Sequence, residues 1–131
     1  MLKIRFLNSA LNLYKIKLFF SLLFVIVFSS TSYGDTKLII LGSGTPNPDP
    51  QRYGSGYAIV VNESAYIVDF GPGIVRRISA MSPTWGGEFP SMELKKINIA
   101  FLTHIHSDHS GALADLILTP WIMGRDEPLK L

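Results

Sequence analysis

The residues best suited to chemistry are concentrated in one short segment of this sequence. All three histidines of the chain, His104, His106 and His109, lie there, and Asp108 adds a carboxylate to the same stretch. Imidazole and carboxylate groups suit Zn²⁺ and neighbouring transition metals, whereas three imidazoles argue against Ca²⁺ or Mg²⁺. The segment therefore predicts a metal site.

The spacing within this segment limits how its side chains can share a metal. In an extended chain, side chains two residues apart point the same way, so His104, His106 and Asp108 can converge. His109 can join them only if the chain turns there, as it would at a helix start capped by Ser107 or Asp108. Four ligands so close in sequence would be strained around one ion. Two ions are easier, with His104 and His106 on one and Asp108 and His109 on the other, and each ion would need further ligands from elsewhere.

The flanking segments alternate between strand and helix patterns. The predicted strands are Thr36 to Leu41, Tyr57 to Val61, Ala65 to Phe70 and Ile97 to Leu102, and the predicted helices are Ile74 to Met81 and Ser110 to Leu118. The second and third strands predict a hairpin, and residues 83–90 predict a flexible loop. The pattern indicates an α/β layered domain with the histidines at the carboxyl end of a strand, where such folds gather ligands.

The first 34 residues have the pattern of a secretory signal peptide. Four basic residues and no acidic one precede residue 35, an apolar core runs from Leu18 to Phe28, and small residues up to Gly34 offer a cleavage site. We expect an exported protein, periplasmic or secreted, and consider an uncleaved N-terminal membrane anchor as the alternative. The chain has no cysteine, which excludes a thiolate metal site, a disulfide and a thiol nucleophile.

The remaining residues, 35–131, are predicted to form a partial domain. Eight basic and ten acidic residues give them a slightly negative formal charge, so the basic balance of the whole chain belongs to the leader. Pro128 to Leu131 resembles the first residues of a strand, and a sheet covered by helices usually needs more strands than these. We therefore expect the domain to be truncated at its C-terminus.

Thr103-His104-x-His106-x-Asp108-His109, at the end of an apolar strand, resembles the signature of the metallo-β-lactamase superfamily. Two upstream segments, Leu41 to Pro46 with Arg52, and Val68 to Gly73, resemble its ribonuclease Z and zinc arylsulfatase branch. The resemblance spans roughly Lys37 to Leu131, which is nearly all of the chain after the leader. The histidine motif is highly specific, whereas a glycine-containing loop alone is weak support.

This resemblance implies the N-terminal half of a four-layer αβ/βα sandwich that binds two Zn²⁺ ions in the complete protein. It implies that His104 and His106 ligate the first ion, and that Asp108 and His109 ligate the second. Asp69 would orient these ligands without binding a metal itself. An equal alternative is that Asp69 caps the turn at Gly71.

The resemblance also implies a zinc-dependent hydrolase that attacks with a zinc-bound hydroxide. Asp108 would orient this hydroxide and accept a proton. Because ribonuclease Z acts in the cytosol and residues 35–131 are net negative, we expect a small sulfate or phosphate ester as substrate, and no nucleic acid. A membrane contact is expected only through an uncleaved leader. The alternatives are a ribonuclease Z-like phosphodiesterase acting on RNA and a non-catalytic exported metal-binding fragment.

Overall fold

A computed structural model describes residues 14–21 and 34–131, which belong to two separate compact units. In the first unit, residues 14–21 form a helix, α1, whose side chains are exposed. Most of the predicted signal peptide lies outside the described residues. None of the helices within residues 14–21 and 34–131 has the length and apolar character needed to cross a membrane.

The second unit contains a four-stranded sheet in the order β1-β2-β3-β4. Its strands are β1 (Thr36–Gly42), β2 (Gly56–Val61), β3 (Ser64–Val68) and β4 (Ala100–Phe101). The first three strands pair antiparallel, and β4 joins β3 in parallel. The predicted α/β class is confirmed, as is the hairpin, which turns at Asn62 and Glu63 because Val61 pairs with Ser64.

Three α-helices follow in the chain: α2 (Ile74–Ala80), α3 (Ser107–Ser110) and α4 (Leu113–Ile122). The prediction of one helix from Ser110 to Leu118 was wrong, because two helices meet at residues 111–112. In a continuous helix the Ala112 N–H would donate to the Asp108 carbonyl, but here both groups bond to other parts of the fold. The Ala112 N–H donates to the Phe70 carbonyl at 2.9 Å, and the Asp108 carbonyl accepts from the Ser55 N–H at 2.7 Å.

The segment between α2 and β4 is more ordered than the predicted flexible loop. It contains three short 3₁₀ helices, Pro83–Trp85, Pro90–Met92 and Leu94–Lys96. Two of them begin with proline, whose fixed φ suits the first position of a helix and whose missing N–H is not needed there.

The last strand is shorter than predicted from its apolar sequence. Ile97 is buried, but its carbonyl accepts from the Arg125 guanidinium at 3.0 Å rather than from a neighbouring strand. The strand pattern predicted near Leu131 does reach the sheet, because Lys130 forms a parallel bridge with Ile99.

The hydrophobic core lies between one face of the sheet and the helices. Its members alternate along the strands and recur on the inward faces of α2 and α4: Ala58, Val60, Ala65, Ile67, Ala100, Ile74, Val75, Ile78 and Leu116. The opposite face of the sheet is also apolar, and Leu38, Ile40 and Phe101 on it are each more than half exposed. A sheet with helices on one face and apolar side chains on the other is the arrangement expected of half a sandwich.

Ile67 tests this core, because its side chain is fully buried in the central strand β3. We expect Ile67→Ala to lower the free energy of unfolding by about 2–5 kcal/mol, through lost burial and the cavity left behind. Ile122→Ala removes the same atoms from an exposed position on α4 and should change stability by less than about 0.5 kcal/mol. Urea unfolding measures both variants. Equal losses would show that β3 is not central to the core.

Candidate metal centre

Two parallel strand ends bring the functional residues to one edge of the sheet. Asp69 follows β3 directly, and Thr103 comes two residues after β4. The Asp69 N–H donates to the Phe101 carbonyl at 2.8 Å, and the Thr103 N–H donates to Asp69 Oδ1 at 2.8 Å. Because both strands run the same way, the residues after each of them meet at their carboxyl ends.

Asp69 is the buried charge at this edge. Only 2% of the surface of Asp69 is exposed. Its φ of 60° lies in the left-handed region, which Asp tolerates better than most residues do. Burial, the largest influence, disfavours the charged form, but hydrogen bonds from the Thr103 N–H, from His109 and from the Thr103 hydroxyl together outweigh it. The pKa of Asp69 is therefore held below its usual value, so the carboxylate is ionised at neutral pH.

The carboxylate of Asp69 also decides between its two predicted roles. Its Oδ2 lies 2.7 Å from Nδ1 of His109. The turn at Gly71 is held instead by its own N–H, which donates to the Ser55 carbonyl at 2.9 Å. The side chain of Asp69 thus orients a predicted metal ligand rather than capping the turn.

The three imidazoles lie side by side at the start of α3. The ring centroids of His104 and His106 are 4.7 Å apart, and those of His104 and His109 are 4.0 Å apart. Asp108 lies beside His109, with its Oδ2 3.4 Å from Nε2 of that ring. Across residues 14–21 and 34–131, however, no three His, Asp or Glu side chains converge closely enough to hold an ion by themselves.

The helix start differs from the predicted one. His106 occupies the N-cap position, and neither Ser107 nor Asp108 caps α3 with its side chain. The Ser110 hydroxyl instead donates to the carbonyls of Ile105 and His106, each at 3.0 Å. The side chain of Asp108 is therefore free of a capping role and remains turned inward.

Two local features test whether these residues fit a cation. Asp108 is 6% exposed, and its buried Oδ1 has no hydrogen-bond partner among the described residues. Because the ionised Asp69 can only accept, Nδ1 of His109 carries the proton, so Nε2 of a neutral ring presents a lone pair to Asp108. Two acceptors that face each other at 3.4 Å require a proton or a cation between them. The donor types and these unsatisfied atoms fit a partial Zn²⁺ site that needs ligands from elsewhere.

Backbone contacts hold the ligand loop, residues 104–109, against the residue before β2 and the segment after β3. The carbonyls of Asp108 and His109 accept from the N–H groups of Ser55 and Phe70, each at 2.7 Å. The approach is so close that a Cβ added at Gly71 would lie 1.9 Å from the Asp108 carbonyl oxygen. Glycine is thus required at this position by contact with the ligand loop.

A cleft of about 410 Å³ opens beside this centre. The proline-rich loop, residues 44–50, forms one wall, and Ser107 and Asp108 form part of the other. Arg52 also lines the cleft, with its side chain 66% exposed and its Nε 3.4 Å from Asp49. An extended ligand could therefore reach Asp108 and a guanidinium together.

Residues 49–125, more than half of the chain, match the metallo-β-lactamase superfamily model. The chain belongs to the metallo-β-lactamase superfamily. Its matched residues include the histidine segment, the edge of the sheet behind it and the helices α2 to α4. The resemblance and the fold predicted from the sequence are both confirmed.

Within this superfamily, the chain is similar to ribonuclease Z. It is 33% identical over 86 residues to ribonuclease Z of Mycobacterium bovis, which is 66% of this chain and 28% of that protein. The chain thus spans about 28% of the length of the curated relatives it matches.

Solved structures show the same fold. Human tRNase Z, short form, superposes with a TM-score of 0.55 and 22% identity over 70% of this chain and 32% of that one. The metallo-β-lactamase fold protein YhfI from Bacillus subtilis gives a TM-score of 0.55 and 18% identity over 69% of this chain and 33% of its own.

The comparisons correct one prediction made from the sequence. A small-molecule ester was expected as substrate and nucleic acid was not, yet the curated relatives are ribonuclease Z proteins and a structural neighbour is a tRNase Z. The prediction was wrong because it inferred the substrate from the expected export of the protein and from the summed charge of residues 35–131. Contact with an anionic backbone depends on where cations lie, and Arg52 lines the cleft beside Asp108.

Sequence reasoning also missed the groups that hold the ligand loop in place. The Thr103 hydroxyl, 2.9 Å from both carboxylate oxygens of Asp69, was noted only as part of a motif. The backbone donors Ser55 and Phe70 carry no signal in their side chains. Gly71 was a clue, since a glycine at the end of a strand can indicate close approach of another backbone segment.

Gly71 gives a direct test of this arrangement. In Gly71→Ala the new Cβ must push the Asp108 carbonyl away, which should cost about 1–3 kcal/mol of stability and weaken zinc binding. Gly86→Ala is the control, because it has open space around it but a φ of 82°. It should lose about 1–2 kcal/mol from backbone strain alone and bind zinc as the parent does. Urea unfolding and zinc titration measure both, and unchanged zinc affinity in Gly71→Ala would refute the contact.

Proposed function

We propose that this chain is the metal-ligand segment of a ribonuclease Z-like, metal-dependent phosphodiesterase that acts on RNA. The observation that carries the proposal is the buried Asp69 carboxylate behind a His-x-His-x-Asp-His loop, in a chain similar to ribonuclease Z. Because the chain spans about 28% of those relatives, the proposal concerns the whole protein to which this segment contributes.

The metal is proposed to be zinc, with two ions in the complete protein. His104 and His106 would hold the first ion, and Asp108 and His109 the second. When bound, such ions lower the pKa of water towards neutrality and draw charge away from a scissile phosphate. Two observations support this assignment. The ring centroid of His104 lies 4.7 Å from that of His106 and 4.0 Å from that of His109, and Oδ1 of Asp108 has no hydrogen-bond partner among the described residues.

The side chains around the cleft suit a phosphodiester. Asp108 is proposed as the catalytic residue, because its buried Oδ1 can accept a hydrogen bond or a proton from the attacking water. The exposed Arg52 side chain lines the same cleft, and its planar guanidinium donors match phosphate oxygens. An RNA backbone would place one phosphate at the metal position beside Asp108 while a neighbouring phosphate contacts Arg52.

Export of the protein stays a prediction from the leader sequence. A cytosolic ribonuclease would be at odds with a cleaved signal peptide, so the location of the protein bears on which RNA it meets. Cell fractionation with an antibody to residues 35–131 would decide the location independently of the activity.

The function is tested in the protein as its gene encodes it, with three substrates: a precursor tRNA transcript, bis-p-nitrophenyl phosphate and p-nitrophenyl sulfate. We expect zinc-dependent cleavage of the RNA and the phosphodiester, with no turnover of the sulfate. Chelation should abolish the activity, and added zinc should restore it. Cleavage of the sulfate ester alone would contradict the proposal.

His106→Ala tests the ligand assignment in the same protein. Because losing even an outer partner of a metal ligand costs about 10–100-fold, losing the ligand itself should lower RNA cleavage by more than about 100-fold and reduce bound zinc. Glu63→Ala, in the exposed β2–β3 turn at the far end of β3, should change neither quantity. Unchanged zinc content and turnover in His106→Ala would show that the site lies elsewhere.

A further inference from the structure

We propose that Thr103 is a positioning residue for His104, linking that metal ligand to the buried carboxylate of Asp69. Its hydroxyl oxygen lies 2.9 Å from both Oδ1 and Oδ2 of Asp69 and 3.1 Å from Nδ1 of His104. The inference rests on the metal site of the proposed function, and it assigns a task to a residue that is not itself a ligand.

The direction of each hydrogen bond follows from the groups involved. The Asp69 carboxylate already accepts from the Thr103 N–H, and the hydroxyl of Thr103 lies within donating distance of both of its oxygens, so the single hydroxyl proton is donated to Asp69. The lone pairs of the hydroxyl then remain for His104, whose Nδ1 must carry a proton in order to donate. His104 is thereby fixed in the tautomer with its proton on Nδ1, which leaves Nε2 as the free nitrogen for a metal.

The same carboxylate orients a second imidazole without an intermediary. Nδ1 of His109 lies 2.7 Å from Asp69 Oδ2, so His109 also presents Nε2 away from Asp69. The rings of His104 and His109 are 4.0 Å apart between centroids. With His104 on the first ion and His109 on the second, one buried carboxylate sets a ligand at each metal position.

The hydroxyl of Thr103 can be removed without removing the backbone hydrogen bond between Thr103 and Asp69. Its N–H donates to Asp69 Oδ1 at 2.8 Å, and this bond holds the chain whatever side chain is present. The residue is exposed, so a change of side chain does not open a cavity in the core. Thr103→Val therefore removes the hydroxyl link at nearly constant shape and leaves the main-chain tie to Asp69.

The experiment compares three variants of the protein as its gene encodes it. Thr103→Val removes the link, Thr103→Ser keeps it, and Thr119→Val removes a similar hydroxyl, one that donates to Asp115 at 2.5 Å on α4. Zinc affinity is measured by competition with a chelator, and the His104 tautomer by ¹⁵N–¹H correlation spectra of the metal-free protein. We expect Thr103→Val to bind zinc about 10–100-fold more weakly, because outer partners of metal ligands have effects of this size.

The Nδ1–H preference of His104 should also be lost in Thr103→Val, while Thr103→Ser and Thr119→Val stay close to the parent in both measurements. Parental zinc affinity or an unchanged tautomer in Thr103→Val would overturn the proposal. The proposal would also be overturned if Thr103→Ser bound zinc as weakly as Thr103→Val, or if Thr103→Val did not fold. Either result would show that the side chain of Thr103 serves in packing. If the parent binds no zinc, the proposed function fails as well, whereas equal binding by parent and Thr103→Val refutes this inference alone.

Discussion

The buried carboxylate of Asp69 is the interaction on which the geometry of the site depends. It is ionised although only 2% of the residue is exposed, because hydrogen bonds from Thr103 and His109 outweigh the cost of burial. Those same bonds join the end of β3 to the loop after β4. Burying this charge alone would be strongly unfavourable, but its hydrogen bonds stabilise it and attach the ligand loop to the end of β3.

The main chain adds a second constraint at the same place. The Asp108 carbonyl accepts from Ser55, and the Ala112 N–H donates to Phe70, so the helical bond between residues 108 and 112 is given up. The helix is therefore interrupted between α3 and α4, and the Asp108 carbonyl of α3 lies in close contact with Gly71. The short helix turns Asp108 inward and His109 towards Asp69, which a continuous helix starting at Ser110 would not do.

Much of this arrangement could be predicted because it is encoded in patterns along the chain. Alternating and continuous apolar runs located the strands, the apolar positions of α2 recurred at helical spacing, and the histidine spacing indicated a turn at the ligand loop. The break at Gly111 could not be predicted, because it results from hydrogen bonds to residues about 40 to 50 positions earlier in the chain. The same is true of the left-handed backbone of Asp69 and of its bond to the Thr103 hydroxyl. The substrate class was inferred from the leader and from net charge, and net charge does not report where single cations such as Arg52 lie.

The central claim, that Asp69 orients a ligand loop that binds metal, is tested most directly by anomalous diffraction at the zinc edge. Crystals of the complete zinc-loaded protein should show one zinc about 2.0–2.1 Å from imidazole nitrogens of His104 and His106. A second zinc should lie beside Asp108 and Nε2 of His109, with the Asp69 carboxylate still bound to Nδ1 of His109. Zinc bound directly by Asp69, or no zinc at these histidines, would contradict the account.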